Sequence, residues 1–297
     1  MLGSNVPTIG GLPKGFKHAE DWGCEAIQIY VTLSRRWDVP ELTQEEITEF
    51  QSAWKKSSVK EVVAHVPFLV NLASPAEEIW KKSVSRLTVE ILRAEDFGVR
   101  FLVLHPGSYG GSNIKEGLKR IINGLNVASQ RSEKSSTKIL LETMAGQGTA
   151  LGSRFEEIAH ILENVENPDC YGVCFDTGHV FMAGYNFSSY EGFEETLDLF
   201  DSIIGIHSIK AFHLNDSKTA LGSHSDRHAC IGEGEMGLQV FHAILRDRRF
   251  FTVPKILEIP ERDEKSKSNL ELLRELGYMT QPVREPQRRK VQLALWE

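Results

Sequence analysis

Three segments of residues 62–105 show the clearest strand–helix–strand pattern in the chain: VVAHV at 62–66, PAEEIWKKSVSRLTVEILRAEDFG at 75–98 and FLVLH at 101–105. The two outer segments are short apolar runs, which are typical of buried strands. The middle segment repeats apolar residues close to every 3.6 positions and predicts a helix over Pro75–Phe97. Ser74 is a candidate N-cap, and Gly98 can end the helix. The unit therefore predicts two parallel strands joined by a crossover helix.

The same alternation continues along the chain. Other strand-like runs lie at Ala26–Val31, Lys138–Thr143, Gly172–Thr177, Lys210–Asn215 and Lys255–Ile259, with a weak one, interrupted by Pro7, at Ser4–Ile9. Helical periods lie at Gln44–Lys55, Lys115–Gln130, Arg154–Glu163, Glu191–Ile203, Leu238–Arg246 and Glu264–Leu276. Eight such units predict an α/β fold of the TIM type, a closed (β/α)8 barrel. No glycine-rich dinucleotide-binding motif follows the first strand, which disfavours an open sheet.

The pattern predicts a single barrel domain over residues 1–277 and a tail over residues 278–297. The tail contains two prolines and a basic cluster, Arg284–Lys290. We expect it to be flexible, with DNA-phosphate contact or a localisation signal as the alternatives.

Composition excludes few functions. The chain is 41% hydrophobic and 25% charged, as in ordinary soluble proteins, and no apolar run reaches the ~20 residues that span a membrane. Four scattered cysteines and the lack of a secretory signal predict a reducing compartment, the cytoplasm. The net charge of −7 argues mildly against a nucleic-acid partner. Three divalent cations would nevertheless bring the sum to −1, so charge does not decide the partner.

Histidine and carboxylate residues recur near the C-terminal ends of the predicted strands. Six consecutive strands carry one each: His65, His105, Glu142, Asp176, His213 and Glu258. Two further motifs, read as loops, are FDTGH with Asp176 and His179, and DRH with Asp226 and His228. In a barrel the strand ends converge on one face, where charged groups must be paired or bind metal. The mixture suits Zn²⁺, or alternatively Mn²⁺ or Fe²⁺, and nine ligands exceed the four of one tetrahedral ion.

Several motifs in a fixed order resemble those of one known family. They are His65 with Asn71-Leu72, LHPGS at 104–108, LETMAGQG at 141–148, FDTGHVFMAGY at 175–185, HLNDSK at 213–218, DRHACIGEGEMG at 226–237 and LEIP at 257–260. This pattern, over about residues 5 to 275, resembles endonuclease IV, the zinc-dependent apurinic/apyrimidinic (AP) endonucleases of base-excision repair.

The resemblance implies three zinc ions. The first would be held by His65, His105 and Glu142; the second by Glu142, as a bridging ligand, with Asp176, His213 and Glu258; the third by His179, Asp226 and His228. It also implies Glu142 as the catalytic position and water as the nucleophile. The reaction would be hydrolysis of the phosphodiester bond 5′ to an abasic site, which leaves a 3′-hydroxyl, with trimming of blocked 3′ ends as a second activity.

The partner implied by the resemblance is double-stranded DNA that carries abasic sites or blocked 3′ ends. We expect a monomer with no membrane association, in the cytoplasm at the nucleoid, or in the nucleus of a eukaryote. Family side chains that enter the minor groove match Arg35, Phe68 and Leu69. The chain departs from the family pattern at Asn5, Pro7, Leu33, Ser34, Pro67, Phe68 and Cys230. None of these positions is a predicted metal ligand, so the departures are expected to affect DNA binding and not metal binding.

Two alternatives stay open on sequence alone. The first is a metal-dependent sugar isomerase or epimerase on the related barrel, which would use the set Glu142, Asp176, His213 and Glu258. Such an enzyme does not need the five other candidate ligands. The second is a lesion-binding protein without catalytic activity, in which the altered groove residues have changed the role.

Overall fold

A closed barrel of eight parallel strands forms the centre of the protein. The computed structural model describes residues 1–32, 36–132, 135–260 and 262–280. In chain order the barrel strands are β1 Leu2–Asn5, β2 Ala26–Ile29, β3 Glu61–His65, β4 Phe101–Leu104, β5 Lys138–Glu142, β6 Tyr171–Asp176, β7 Ile209–Leu214 and β8 Lys255–Leu257. Each strand pairs in parallel with its neighbours in sequence, and β8 closes the barrel against β1. The predicted (β/α)8 barrel is confirmed.

One or more helices follow every strand of the barrel. They are α1 Lys14–Trp22, α2 Gln44–Lys56, α3 Glu77–Phe97, α4 Ile114–Arg131, α5 Phe155–Asn164, α6 Thr177–Ala183, α7 Tyr190–Ile203, α8 Gln239–Arg246 and α9 Arg262–Tyr278. Among the described residues, no helix combines the length and the apolar character that crossing a membrane requires. The residues of the predicted basic cluster, Arg284–Lys290, lie outside the described part of the chain.

Buried apolar residues form two layers around the strands. The inner layer fills the barrel with one small or branched side chain from most strands, such as Ala26, Val63 and Ile256. The outer layer lies between the strands and the helices and includes Phe50, Phe97 and Phe212. This two-layer packing fixes the strands rigidly. A rigid barrel in turn holds side chains at the strand ends in one place.

Two elements, the first strand and helix α3, differ most clearly from their predicted ends. The first strand is Leu2–Asn5 instead of Ser4–Ile9, and it ends before Pro7, which has no N–H for a ladder hydrogen bond. Helix α3 begins at Glu77, and its N-cap position is Ala76. The Ser74 hydroxyl accepts the N–H of Ala76 at 3.3 Å and so shapes the turn before the helix. Gly98 ends α3 as predicted, in a left-handed conformation with φ 79°.

The FDTGH motif was predicted as a loop, and this was also wrong. Asp176 ends β6 and caps α6 directly, because its carboxylate accepts the N–H of His179 at 2.8 Å. The strand-to-helix transition takes no intervening residue. His179 therefore occupies the first turn of a helix, which holds it more firmly than a loop would.

Two short antiparallel pairs extend the C-terminal face of the barrel. Gly107–Ser108 pairs with Ala150–Leu151, and Asp216–Ser217 pairs with His228–Ala229. The second pair folds the segment after β7 back over the barrel mouth. It thereby places the DRH motif beside the strand ends.

Candidate metal centre

All six strand-end residues reach the same face of the barrel. His65 ends β3, His105 follows β4, Glu142 ends β5 and Asp176 ends β6; His213 lies one residue before the end of β7, and Glu258 follows β8. Because the strands are parallel, their C-terminal ends open on one side. The side chains form three groups, defined below by their distances.

The first group contains His65, His105 and Glu142. The Nε2 atoms of His65 and His105 lie 3.2 Å and 3.0 Å from the same oxygen, Oε2 of Glu142. One ligand atom from each residue can be chosen so that all lie within 4.8 Å of one another. His65 and Glu142 are buried, and His105 opens to the surface. The first group can hold one metal ion.

The second group shares Glu142 with the first. Oε1 of Glu142 lies 3.0 Å from Nδ1 of His213, so each carboxylate oxygen faces a different group. Around the same Nδ1 atom, Oε2 of Glu258 lies at 3.3 Å and Oδ2 of Asp176 at 3.8 Å. Three carboxylates within this distance repel one another unless positive charge lies between them. The second group therefore also suits a cation.

The third group contains His179, Asp226 and His228. The ligand atoms that all lie within 4.8 Å of one another here are those of Asp176, His179 and His228, and Asp226 joins them through contacts to both imidazoles. Nε2 of His179 lies 3.4 Å from Oδ2 of Asp226, and Nε2 of His228 lies 3.4 Å from Oδ1 of the same residue. Asp176 connects this group to the second, since its Oδ1 lies 3.9 Å from Nε2 of His228. Asp226 is the most exposed member of this group. The structure thus brings together all nine residues that the sequence singled out.

Backbone carbonyls fix the orientation of two of the imidazoles. Nδ1 of His65 lies 2.7 Å from the Val66 carbonyl, and Nδ1 of His179 lies 2.9 Å from the Thr143 carbonyl. A carbonyl oxygen only accepts hydrogen bonds, so the ring nitrogen facing it must carry the proton. In the neutral form of both rings, the proton on Nδ1 leaves the lone pair on Nε2, on the side of the carboxylates. These rings are prepared to bind metal through Nε2.

Two buried imidazole nitrogens without a hydrogen bond support a fit to metal ions. Nε2 of His179 and Nε2 of His228 are buried, and neither makes a hydrogen bond in the part of the chain that the structure describes, although each lies 3.4 Å from an oxygen of Asp226. Buried polar atoms in native proteins almost always have a partner. Imidazole nitrogen with carboxylate oxygen is the donor set of Zn²⁺, and of Mn²⁺ or Fe²⁺. The three groups can therefore hold divalent cations.

The charges of the groups stabilise one another. Burial alone would raise the pKa of Glu142, but the charges of His213 and His105 hold it well below its ordinary value. Burial alone would lower the pKa of His179, but Asp176 and Asp226 raise it well above the usual range. A metal ion would replace the protons on such rings, because only the neutral ring has a lone pair for the metal. Metal binding should accordingly release protons.

Three residues around the centre were missed by sequence reasoning. Gln28 contacts both His213 and Glu258. Asn215 donates from Nδ2 to Oδ2 of Asp176 at 2.7 Å. The buried Asp216 carboxylate accepts four backbone N–H groups, from Ser217, Gly232, Gly234 and Met236, at 2.7 to 3.1 Å. Asn215 and Asp216 lie in the HLNDSK motif at 213–218, but the motif did not identify their partners; the glycine-rich stretch after the DRH motif was the signal for the loop around Asp216.

Gly234 shows why that stretch must contain glycine. A Cβ atom at this position would lie 2.3 Å from the Ser217 carbonyl oxygen and 2.4 Å from Oδ1 of Asp216. Only glycine allows the loop to approach Asp216 this closely. The loop in turn follows His228 and holds its position.

The residues predicted to contact DNA are only partly described. Phe68 is 68% exposed at the barrel mouth, and its ring centroid lies 6.5 Å from that of His105 and 6.2 Å from that of Tyr30. Leu69 is half-buried and packs against the core. Arg35 lies outside the described residues, as do Leu33 and Ser34. The structure thus leaves Phe68 as the exposed aromatic side chain beside the first group.

Comparison with known proteins places the chain in a family. A family model described as "Xylose isomerase-like TIM barrel" matches residues 16–276. "Probable endonuclease 4" of Trichlorobacter lovleyi is 39% identical over 277 residues, which is 93% of this chain and 99% of the relative. The crystal structure of endonuclease IV from Thermus thermophilus matches with a TM-score of 0.81 and 30% identity, over 93% of this chain and 98% of that one.

A D-tagatose 3-epimerase-like protein also superposes, with a TM-score of 0.71 and 23% identity over 93% of this chain and 96% of that one. A similarity of that size shows a shared fold alone. The relatives with the higher identity match nearly their whole length. The chain belongs to the endonuclease IV family of TIM-barrel proteins.

Proposed function

We propose that this protein is a metal-dependent AP endonuclease that hydrolyses the phosphodiester bond 5′ to an abasic site in duplex DNA. The observation that carries the proposal is Glu142, whose two carboxylate oxygens face two different groups of potential metal ligands. Eight of the nine residues form three groups with metal-ligand spacing, and Asp226 contacts both imidazoles of the third; we take the set to suit three divalent cations, zinc. The relatives named "Probable endonuclease 4" support this assignment.

The residues of the chain would hold and orient the reacting groups. His65, His105 and Glu142 would hold one cation; Glu142, Asp176, His213 and Glu258 a second; His179, Asp226 and His228 a third. Lewis-acid stabilisation of the phosphate charge and activation of water at neutral pH are what such cations supply when bound. No side-chain nucleophile is needed. Displacement of the 3′ oxygen by water would leave a 3′-hydroxyl, and blocked 3′ ends present the same bond.

Recognition of the lesion would depend on the barrel rim. A nucleotide without a base costs less to unstack from the duplex than an intact one. The exposed ring of Phe68 lies beside the first group and can contact the bases on either side of the abasic nucleotide. We propose that Arg35 and Leu69 enter the minor groove of the DNA beside it.

A sugar epimerase activity explains fewer of the candidate ligands. It would use Glu142, Asp176, His213 and Glu258 and would leave the third group without a role. Yet Nε2 of His179 and Nε2 of His228 are buried without a hydrogen bond, and each faces an Asp226 oxygen at 3.4 Å. A site that uses only the second group would leave both nitrogens with this ion contact alone.

The test is cleavage of a duplex that contains one tetrahydrofuran abasic analogue. The zinc-loaded protein should cut once, 5′ to the analogue, and leave an undamaged duplex intact. Glu142→Gln keeps the size of the side chain and removes its charge; it should lower the cleavage rate by roughly 100-fold or more. Glu163→Gln, an exposed change on α5, is the matched control and should cut normally.

Metal content, measured by mass spectrometry, and thermal unfolding should accompany each variant. Binding of the duplex without cleavage by the metal-loaded protein would favour the non-catalytic alternative. Isomerisation of ketoses without DNA cleavage would favour the epimerase. Either result contradicts the proposal.

A further inference from the structure

We infer that Gln28 is a positioning residue of the metal centre, which decides the nitrogen that His213 offers to metal and orients Glu258. Gln28 is fully buried on β2, and its side chain contacts residues of β7 and the end of β8. Strand β2 pairs only with β1 and β3 within the barrel. The side chain thus reaches the centre from a strand that supplies none of the nine candidate ligands.

The two polar ends of Gln28 can be told apart by the chemistry of their partners. One end hydrogen-bonds Oε1 of Glu258, and the other lies 2.7 Å from Nε2 of His213. An ionised carboxylate only accepts hydrogen bonds, so the amide NH₂ of Gln28 must face Glu258. The amide oxygen then faces His213, and an oxygen of this kind only accepts. Nε2 of His213 must therefore carry the proton.

The proton on Nε2 directs the lone pair of His213 toward the second group. Its Nδ1 lies 3.0 Å from Oε1 of Glu142 and 3.3 Å from Oε2 of Glu258. His213 would thus bind metal through Nδ1, whereas His65 and His179 are arranged to bind through Nε2. The latter two are fixed by backbone carbonyls, which a substitution cannot remove. For His213, the acceptor that fixes the position of the ring proton is the side chain of Gln28, which a substitution can remove.

Packing alone does not explain a glutamine at this position. The neighbouring barrel layer is apolar and contains Ala26 of the same strand and Val63, which is opposite Gln28 in β3. An apolar side chain of similar length would satisfy such a layer. Glutamine is costly to bury unless both ends are hydrogen-bonded, and here both partners are candidate metal ligands.

The test compares zinc affinity in Gln28→Met with that of the unmodified protein, by competition with a chelator. Methionine keeps the length and removes both hydrogen bonds. Loss of an outer partner of a ligand should weaken zinc binding about 10- to 100-fold. Ser4→Ala is the matched control, since it removes a buried hydrogen bond between β1 and α9, to Ser266 at 3.0 Å. Ser4→Ala should leave zinc affinity unchanged.

A second measurement does not depend on a variant. In the zinc-loaded protein labelled with ¹⁵N-histidine, the spectrum of His213 should show the proton on Nε2. A proton on Nδ1 would overturn the inference, as would unchanged zinc affinity in Gln28→Met or an equal loss in Ser4→Ala. The inference rests on the proposed metal centre; neither readout uses DNA, so its failure is distinguishable from a failure of the nuclease proposal.

Discussion

Lys255 is a buried cation at the opposite end of the barrel from the candidate metal ligands. It begins β8, and its Nζ donates to the carbonyls of Phe250 at 2.5 Å and Val253 at 3.1 Å. Burial lowers its pKa from 10.5 to about 8. The two carbonyls accept hydrogen bonds from the ammonium group but do not neutralise its charge. Lys255 therefore makes stability depend on pH.

The sign of this dependence follows from proton binding. Between about pH 8 and 10.5 the unfolded chain holds the Lys255 proton and the folded protein does not, so stability rises with pH. Relative to Lys255→Met, the free energy of unfolding of the unmodified protein should rise by about 2–3 kcal/mol from pH 7 to pH 10. Urea unfolding at several pH values measures it. Lys55→Met on the exposed side of α2 is the control, and a pH-independent difference for Lys255→Met would refute the prediction.

At the level of single residues, the sequence predicted the candidate metal ligands but not the side chains that hydrogen-bond to them. His65 or Glu142 can be predicted because parallel strands bring their C-terminal ends to one face. Gln28 and Asn215 cannot, because their contacts cross the barrel or depend on side-chain orientation. For a polar residue inside an apolar strand, the sequence pattern does not identify the hydrogen-bond partner on another strand.

At the scale of elements, α3 holds the connection between β2 and α2. Arg86 and Glu90 of α3 are buried, with Nε of Arg86 2.6 Å from Oε1 of Glu90. Arg86 also donates to Thr32 and to the backbone carbonyls of Arg36 and Trp37. The ion pair thus fastens both described sides of the connection, at Thr32 and at Arg36, to one helix. The proposed DNA contact Arg35 belongs to this connection.

This arrangement predicts strongly coupled substitutions. Burial raises the pKa of Glu90, and the contacts with Thr32 and Arg86 oppose this. Arg86→Met leaves Glu90 buried without its cation and should cost about 3–5 kcal/mol of stability. Glu90→Met should cost a similar amount. The double variant should be about 1–3 kcal/mol more stable than the two losses added together predict, because the second change removes the charge that the first left unpaired. Urea unfolding of the four zinc-loaded proteins gives the cycle, and strictly additive losses would contradict the ion pair.

Elements differed in how far the sequence could predict them. Long periodic segments such as α3 were found, with errors only at their ends. Helix α1 was missed, since its nine residues follow Pro13 and include Gly15. The two-residue strands Asp216–Ser217 and His228–Ala229 carry no periodicity at all. They form because the Asp216 carboxylate holds the following loop, a contact that becomes visible only in three dimensions.

For the whole molecule, barrel closure is what turns residues far apart in the chain into one centre. Gln28 and Glu258 are separated by 230 positions and are in hydrogen-bond contact. The order of strand–helix units predicted that closure. The formal charge of −7 did not identify a partner, because bound divalent cations would nearly cancel it. Only the arrangement of the ligands, with the relatives, points to phosphate chemistry.

The most direct test of the proposed hydrolysis is the fate of water oxygen. The zinc-loaded protein would cut a duplex with one tetrahydrofuran analogue in H₂¹⁸O under single-turnover conditions, and mass spectrometry would analyse both fragments. Hydrolysis at phosphorus predicts a 3′-hydroxyl on one fragment and one ¹⁸O in the 5′-phosphate that carries the analogue. No cleavage by fully metal-loaded protein, or a cut at another bond without ¹⁸O in that phosphate, would contradict the account.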